Sequence, residues 1–400
     1  MEKGLIRLLA VLLTIYFAAI IVFKIYNYNI TYIINALFIG VYILLMLIKK
    51  ETKYKINGFI VFYALFVVLS LGSSLWGVDF SQSSFRSMQL FLLLLNMFVI
   101  YNCVKEFHLE YTFLNGILLG SFVNFVIMLQ LVPVSFDIVT LAGGGRALGT
   151  VGNPNMLAIV MMISILVSFI YINMKDRISK LFFYYQYINI LLSLYLIFLS
   201  MSKKGIIFGS LLILIYLFLS IKRPENIIRL IVIICLGIIV AVYFVDYDHL
   251  MNYYHHIEGR FSSFSTQLSS DATDGSTGER IFLVNTGLSL LADRPLFGYG
   301  IASFSLLNDR NIYAHNNYIE LLVGVGLVGT VIYYCIYIFI IKTAYALKDN
   351  YLKLFFILFI FILLAMDMAL VSYGMKVIIY TLLFIVILTE SSHFKSKKKL

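Results

Sequence analysis

The sequence predicts an all-α protein: a polytopic bundle of about twelve transmembrane helices with one large extracytoplasmic loop containing short amphipathic helices. Three observations carry that prediction. Of the 400 residues, 62% are hydrophobic and 12% charged, against roughly 25% charged in a soluble domain. Apolar runs of about 17–25 residues, each long enough for a hydrocarbon core of roughly 30 Å, recur from end to end. Lys and Arg gather in alternate connections, as the positive-inside bias requires.

The first run, Leu5 to Phe23, follows Lys3 and Arg7 and has the outline of a signal peptide. It lacks a small-x-small cleavage site, so it is expected to remain as the first span. The others fall near 30–48, 56–76, 84–103, 111–132, 155–173, 181–200, 205–220, 227–245, 315–341, 351–370 and 374–390. Four regions follow: 1–132 with helices one to five, 133–245 with helices six to nine and an outer loop bearing Arg146 and Lys203, the large loop 246–314, and 315–400 with the last three helices and a basic tail. With the N-terminus inside, 20 of the 30 basic residues become cytoplasmic, among them "KKETKYK", "KDRISK" and the "KSKKKL" tail. Both termini are then cytoplasmic. The net charge of +10 is mostly a topology signal, and no nucleic-acid partner is expected. Cys103, Cys235 and Cys335 all lie in apolar runs, which implies neither a disulfide framework nor a CxxC metal site.

The remaining basic residues fall outside: Lys24, Arg86, Arg146, Lys203, Lys204, Arg260, Arg280, Arg294, Arg310 and Lys376. Lys24, Arg310 and Lys376 fit helix ends or snorkelling to headgroups. Several of the others could converge on an anionic substrate at the outer leaflet. Two outer connections are long. The second, from Asp246 to about Ala314, holds the flexible "SSFSTQLSSDATDGSTG" and then "ERIFLVNTGLSLLADRP", with Ile281, Val284, Leu288 and Leu291 at helical spacing. Pro295 stops that helix and "LFGYG" turns the chain. A loop of this length is usually functional, and its amphipathic pieces suit the outer membrane face.

His315 is the strongest single candidate, placed where the long loop re-enters the membrane. Imidazole, near pKa 6.5, can accept a proton at neutral pH, and general-base help is worth about 10²–10⁴ in rate; the competing reading is an interfacial histidine at a helix start. Asn316 and Asn317 are candidate N-terminal caps. Glu320 lies deeper, either a functional group by default or a carboxylate paired with a neighbouring helix. Gly324, Gly326 and Gly329 spell G-x-G-x-x-G, but a dinucleotide turn needs a strand before it; here the glycines read as close-packing surface between membrane helices. Arg280 opens an amphipathic helix where a cation opposes the macrodipole, and its fork of donors can grip a phosphate. Arg146 follows "AGGG" and precedes "GTVGNPNMLA", with Asn155 at the start of the sixth span. Lys203 and Lys204 are squeezed between two spans. For each of these sites a structural role remains open. His255 and His256 are weak as metal ligands and read as loop surface.

Together these motifs resemble the O-antigen polymerase and O-antigen ligase superfamily of bacterial membrane glycosyltransferases. The matching pieces are "RALGTVGNPNMLA", "SKKG" between two spans, and Arg280, Pro295–Gly298–Gly300 and His315–Asn316 in that order, over roughly residues 140–345. The resemblance implies transfer of an O-antigen or capsule-type glycan from undecaprenyl diphosphate to an acceptor hydroxyl, at the outer face of the bacterial cytoplasmic membrane. No metal, nucleotide or other cofactor is implied. His315 would be the base and Arg280 a catalytic, diphosphate-binding residue. Arg146, Lys203 and Lys204 would assist with the diphosphate, and Asn316, Glu320 and Asn155 would support. Where the family usually has Ser-Arg, this chain has Ser202-Lys203-Lys204, so charge is kept and the bidentate fork is lost. The implied partners are the undecaprenyl-diphosphate-linked oligosaccharide, the acceptor glycan, the lipid bilayer, and flippase and chain-length regulator proteins. Polymerase is the leading expectation. A ligase is the alternative inside the superfamily; a flippase or other transporter, or an envelope-assembly scaffold, are alternatives outside it. A transporter should carry midplane charges in both halves, and Asp367 is the residue that leans that way.

Overall fold

The computed structural model describes residues 2–22, 28–49, 54–128, 147–174, 177–221, 224–244, 258 and 276–391. Among them are thirteen α-helices, a 3₁₀ turn at Phe304–Leu306, and no strand. The helices are α1 (Glu2–Val22), α2 (Tyr28–Ile48), α3 (Gly58–Ser73), α4 (Phe80–Phe107), α5 (Tyr111–Met128), α6 (Pro154–Asn173), α7 (Lys180–Leu199), α8 (Lys203–Leu219), α9 (Pro224–Phe244), α10 (Ser276–Asp293), α11 (Asn317–Tyr345), α12 (Asn350–Asp367) and α13 (Lys376–Glu390). Twelve coincide with the twelve apolar runs, and α10 is the helix foreseen inside the long loop. Among the described residues, α1, α2, α4, α5, α6, α7, α11 and α12 are long and apolar enough to cross a membrane. This is a multi-pass helical membrane protein.

Starts of helices are written locally. Asn57, Asp79, Asn153, Ser179, Ser202, Asn316 and Asp349 each accept a backbone N–H in the first turn of the helix that follows, which satisfies donors that no intrahelical partner reaches. The chain divides into two compact units. The first is Met1–Thr52 with Leu109–Ser263; the second is Lys53–His108 with Phe264–Leu400.

In the first unit α1 packs on α5, and α6 on α7 and α8. Gly116 and Gly120 lie one turn apart on α5 and let its backbone meet Phe17, Ala18 and Ile21 of α1, the small-x-x-x-small solution for helices in lipid. Helix α6 is apolar all round and accordingly buried along most of its length. Its Ser164 and Ser168 hydroxyls each accept from Asn189 Nδ2 of α7 at 2.9 Å.

In the second unit α11 packs against α3, α12, α10 and α13, and its glycines do something the sequence reading did not anticipate. Gly326 has φ 67° and ψ −170° inside the helix, a conformation essentially reserved for glycine. The break releases Val323 O and the N–H groups of Leu327 and Val328 from the helical ladder. Into the gap comes the turn at 295–300: Tyr299 N–H donates to Val323 O at 2.8 Å, Leu327 N–H to Pro295 O at 2.8 Å, and Val328 N–H to Leu296 O at 3.2 Å. A Cβ on Gly326 would coincide with Leu296 backbone atoms, and one on Gly298 would coincide with Val323 O. Gly324 and Gly326 therefore face an inserted turn rather than another helix; Gly329 does face a helix, through Leu69 of α3. The turn is held from its other side by α3 and α4. Val78 N–H donates to Tyr299 O at 2.9 Å, Ile301 N–H to Ser73 Oγ at 3.1 Å, Ser83 Oγ to Ile301 O at 3.0 Å, and Gln82 Nε2 to Ala302 O at 2.8 Å.

Helix α10 buries one face. Leu283, Gly287 and part of Leu290 turn inward, while Ile281 and Leu288 are exposed. Gly287 sits against Ile319 of α11. Leu283, Tyr299, Phe304, Ala314, Ile319 and Val323 then form one apolar core beneath the loop. Close approach at Gly287 fits the inward stripe of α10 to α11.

Candidate active site

The second unit brings His315, Asn316, Glu320 and Arg280 into one neighbourhood. Asn316 caps α11 as expected, its Oδ1 accepting from Tyr318 N at 2.9 Å and Ile319 N at 3.2 Å. The residue before it, His315, has φ 52°, a left-handed conformation uncommon outside glycine. Its ring is half-exposed and lies 4.0 Å from the Tyr313 ring, centroid to centroid. The bent backbone is pinned on its near side: Glu320, buried, reaches back from the first turn of α11 and accepts the Ala314 N–H at 2.9 Å.

Arg280 is exposed near the start of α10. Among the described residues no carboxylate forms an ion pair with it, whereas its neighbour Glu279 pairs with Arg310 at 3.4 Å. Arg280 lies close enough to act on Tyr313. Burial pushes the Tyr313 hydroxyl above its ordinary range, with the Arg280 cation working against the shift and Glu320 working with it. The core under α10 thus sets a guanidinium, without an ion-pair partner among the described residues, near the ring that lies against His315.

Asn317 corrects the sequence reading. It does not cap; it is fully buried and joins three segments. Its Nδ2 donates to Tyr334 Oη at 3.0 Å and to Asp367 Oδ2 at 3.2 Å, and its Oδ1 accepts Ser372 N–H at 2.9 Å and Tyr373 N–H at 3.1 Å. Asp367 also accepts from Tyr334 Oη at 3.0 Å. Asp367 is therefore bound to the head of α11. Sequence reasoning missed Tyr313 beside His315 and the bond from Asn317 to Asp367; Asp367 was noticed only as an out-of-place charge.

The first unit holds the other candidates. Asn155 Oδ1 accepts from Ser202 Oγ at 2.9 Å, so the start of α6 touches the residue before Lys203 and Lys204. Both lysines are half-buried in the first turn of α8. Gly205 next to them meets Ala158 of α6, which is why the connection is so tight. Arg146 lies outside the described residues, but Ala147, the next residue, donates its N–H to Leu199 O at 3.0 Å at the same end of α7. Lys24, His255, His256 and Arg260 also lie outside the described residues. A groove of about 690 Å³ in this unit, lined by Tyr111, Asn115, Tyr171, Arg177 and Phe182 among others, sits at the opposite end of α6 from Asn155 and holds none of the candidate residues.

Compared with known families, residues 188–334 match the model described as O-Antigen ligase. No curated protein matches the chain. The matched stretch includes Lys203, Lys204, Arg280, His315, Asn316 and Glu320, together with the turn at 295–300 and the kinked part of α11; Arg146 and Asn155 precede it. The match over residues 188–334 supports the O-antigen ligase and polymerase superfamily resemblance read from the order of the motifs.

Proposed function

We propose that the chain is a repeat-unit polymerase, transferring a glycan from undecaprenyl diphosphate to the hydroxyl of an acceptor glycan at the outer face of the cytoplasmic membrane. One observation carries this reading: a half-exposed histidine in a left-handed bend, its ring against that of Tyr313, with the Arg280 cation, unpaired among the described residues, acting on that same ring. In the proposed step the acceptor oxygen attacks the anomeric carbon and its proton passes to His315. The bond from that carbon to the diphosphate oxygen breaks, and the lipid diphosphate departs with the electron pair. Negative charge grows on the leaving group, so a preplaced guanidinium favours the transition state over the ground state. By resemblance, Arg146 with Lys203 or Lys204 adds further positive charge, while Asn316, Glu320 and Asn155 support. The exposed stripe of Ile281 and Leu288 on α10 suits a helix lying against lipid.

The test uses purified full-length protein and an undecaprenyl-diphosphate-linked repeat unit without nucleotide sugar. A ladder of lengthening products supports polymerase. Transfer only to a lipid-core acceptor would replace polymerase with ligase, the activity in the matched family's description. Movement of the donor across vesicles without a new glycosidic bond would overturn the enzyme reading.

A further inference from the structure

Arg86 lies outside residues 188–334 and outside every motif of the resemblance, yet it belongs to the neighbourhood of His315. It sits in the second turn of α4, half-buried. Its Nε donates to Tyr373 Oη at 3.2 Å, its Nη1 to Gln89 Oε1 at 3.0 Å, and the guanidinium covers the Tyr373 ring at 4.7 Å from the centroid. A guanidinium has five N–H donors, and these bonds engage two. Among the described residues no carboxylate is within ion-pair distance. Glu320 acts on Arg86 only at longer range, its Oε2 already occupied by the Ala314 N–H. A cation inside an apolar bundle is expensive and calls for a partner.

The seat around this side chain is specific. The Nη2 atom packs so close to Gly374 that a Cβ on residue 374 would clash with it; the three nearest atoms to such a Cβ all belong to Arg86. Tyr373 and Ser372 are in turn fixed by Asn317, two residues from His315. Burial pushes the Tyr373 hydroxyl up, with Arg86 opposing the shift and Glu320 adding to it. A structural prop would have its donors used. Here the fork is held by its edge and one face, with donors left over on the side of Gly374.

We propose that Arg86 is an additional anion-binding residue of the transfer site, seated by Tyr373 and Gly374 so that its free guanidinium N–H groups grip the diphosphate of the lipid-linked donor. This rests on the proposed function. The seat explains why a cation is kept in α4, and the planar fork explains why it is arginine: two parallel N–H groups match two phosphate oxygens.

The experiment measures binding of undecaprenyl diphosphate and undecaprenyl monophosphate to the purified full chain and to Arg86→Lys, Arg86→Met and Gly374→Ala, with unfolding temperature recorded alongside. Arg86→Met is expected to weaken diphosphate binding about 10–100-fold, the weight of a charge-assisted hydrogen bond or two. Arg86→Lys, which keeps the charge and loses the fork, falls between Met and wild type. Gly374→Ala changes no charge and collides only with the flexible end of Arg86, so it is expected to weaken diphosphate binding with an unchanged unfolding temperature. The monophosphate should be affected less in every variant. Should Arg86→Met fail to fold, Arg86→Lys and Gly374→Ala carry the decision. Wild-type diphosphate affinity in both overturns the inference while leaving the transferase reading intact. A wild-type chain that binds neither lipid overturns both.

Discussion

Replacing Gly326 by alanine is the sharpest test of how the second unit is held together. The residue occupies φ 67°, ψ −170°, where a non-glycine residue costs about 1–3 kcal/mol. Relieving that strain would straighten α11 and return Leu327 N–H to Val323 O. The inserted turn would then lose its three hydrogen bonds to Val323, Leu327 and Val328, each worth about 0.5–1.5 kcal/mol net. The alternative, keeping the kink, places the new Cβ on the Leu296 backbone, which cannot give way as a side-chain tip can. Straightening costs about 1.5–4.5 kcal/mol in lost hydrogen bonds; keeping the kink costs about 1–3 kcal/mol of strain besides the clash. Either cost is concentrated in the turn and not spread over the bundle. The assay is hydrogen exchange followed by mass spectrometry on protein in detergent. In Gly326→Ala, peptides covering 295–302 and 323–330 should exchange roughly ten- to a thousandfold faster, since about 1.4 kcal/mol corresponds to tenfold. Peptides from α6 and α7 should be unchanged. Unaltered protection at 295–302 would refute the claim that the kink, and not the helix as a whole, receives the turn.

Three further substitutions probe the site. His315→Asn keeps a residue that tolerates the left-handed bend but removes the base; transfer should fall about 10²–10⁴-fold with an unchanged unfolding temperature, and near-wild-type transfer would remove His315 from the mechanism. Arg280→Lys keeps the charge of an exposed residue; transfer measured with the lipid-linked donor should drop about 10²–10³-fold, the scale of losing one aligned donor to developing charge, and full activity would show that the fork is not used. Asn317→Ala leaves the Ser372 and Tyr373 N–H groups without their acceptor and takes a donor from Asp367. At about 1–3 kcal/mol for a stranded buried group, the unfolding temperature should fall by many degrees, and an unchanged one would mean that water or rearrangement satisfies those groups.

The sequence reading and the structure agree where the physics is local. The twelve apolar runs became helices because length and hydropathy suffice for that. Asn316 was legible as a cap because a short polar side chain just before an apolar helix has few other uses. The likeness to the family was carried by the order of Arg280, the Pro295–Gly300 turn and His315, and residues 188–334 match that family. Asn317 was misread because capping and bridging call for the same residue type, and only the arrival of Ser372, Tyr373, Tyr334 and Asp367 around it distinguishes them. Arg86 was visible merely as an exported positive charge; that Glu320 acts on it at all depends on α4 and α11 both packing against α3.

The sequence by itself determined that this is an α-helical membrane protein, where its helices begin, and which short motifs hold its candidate chemistry, because bilayer thickness, capping and charge bias act within a few turns of chain. Tertiary structure alone decided that Gly324 and Gly326 of α11 receive a turn instead of a helix, and which residues surround His315. Those outcomes depend on which backbone groups are left unpaired when segments more than two hundred residues apart, such as Ser83 and Ile301, come within hydrogen-bonding distance, and no local pattern records that.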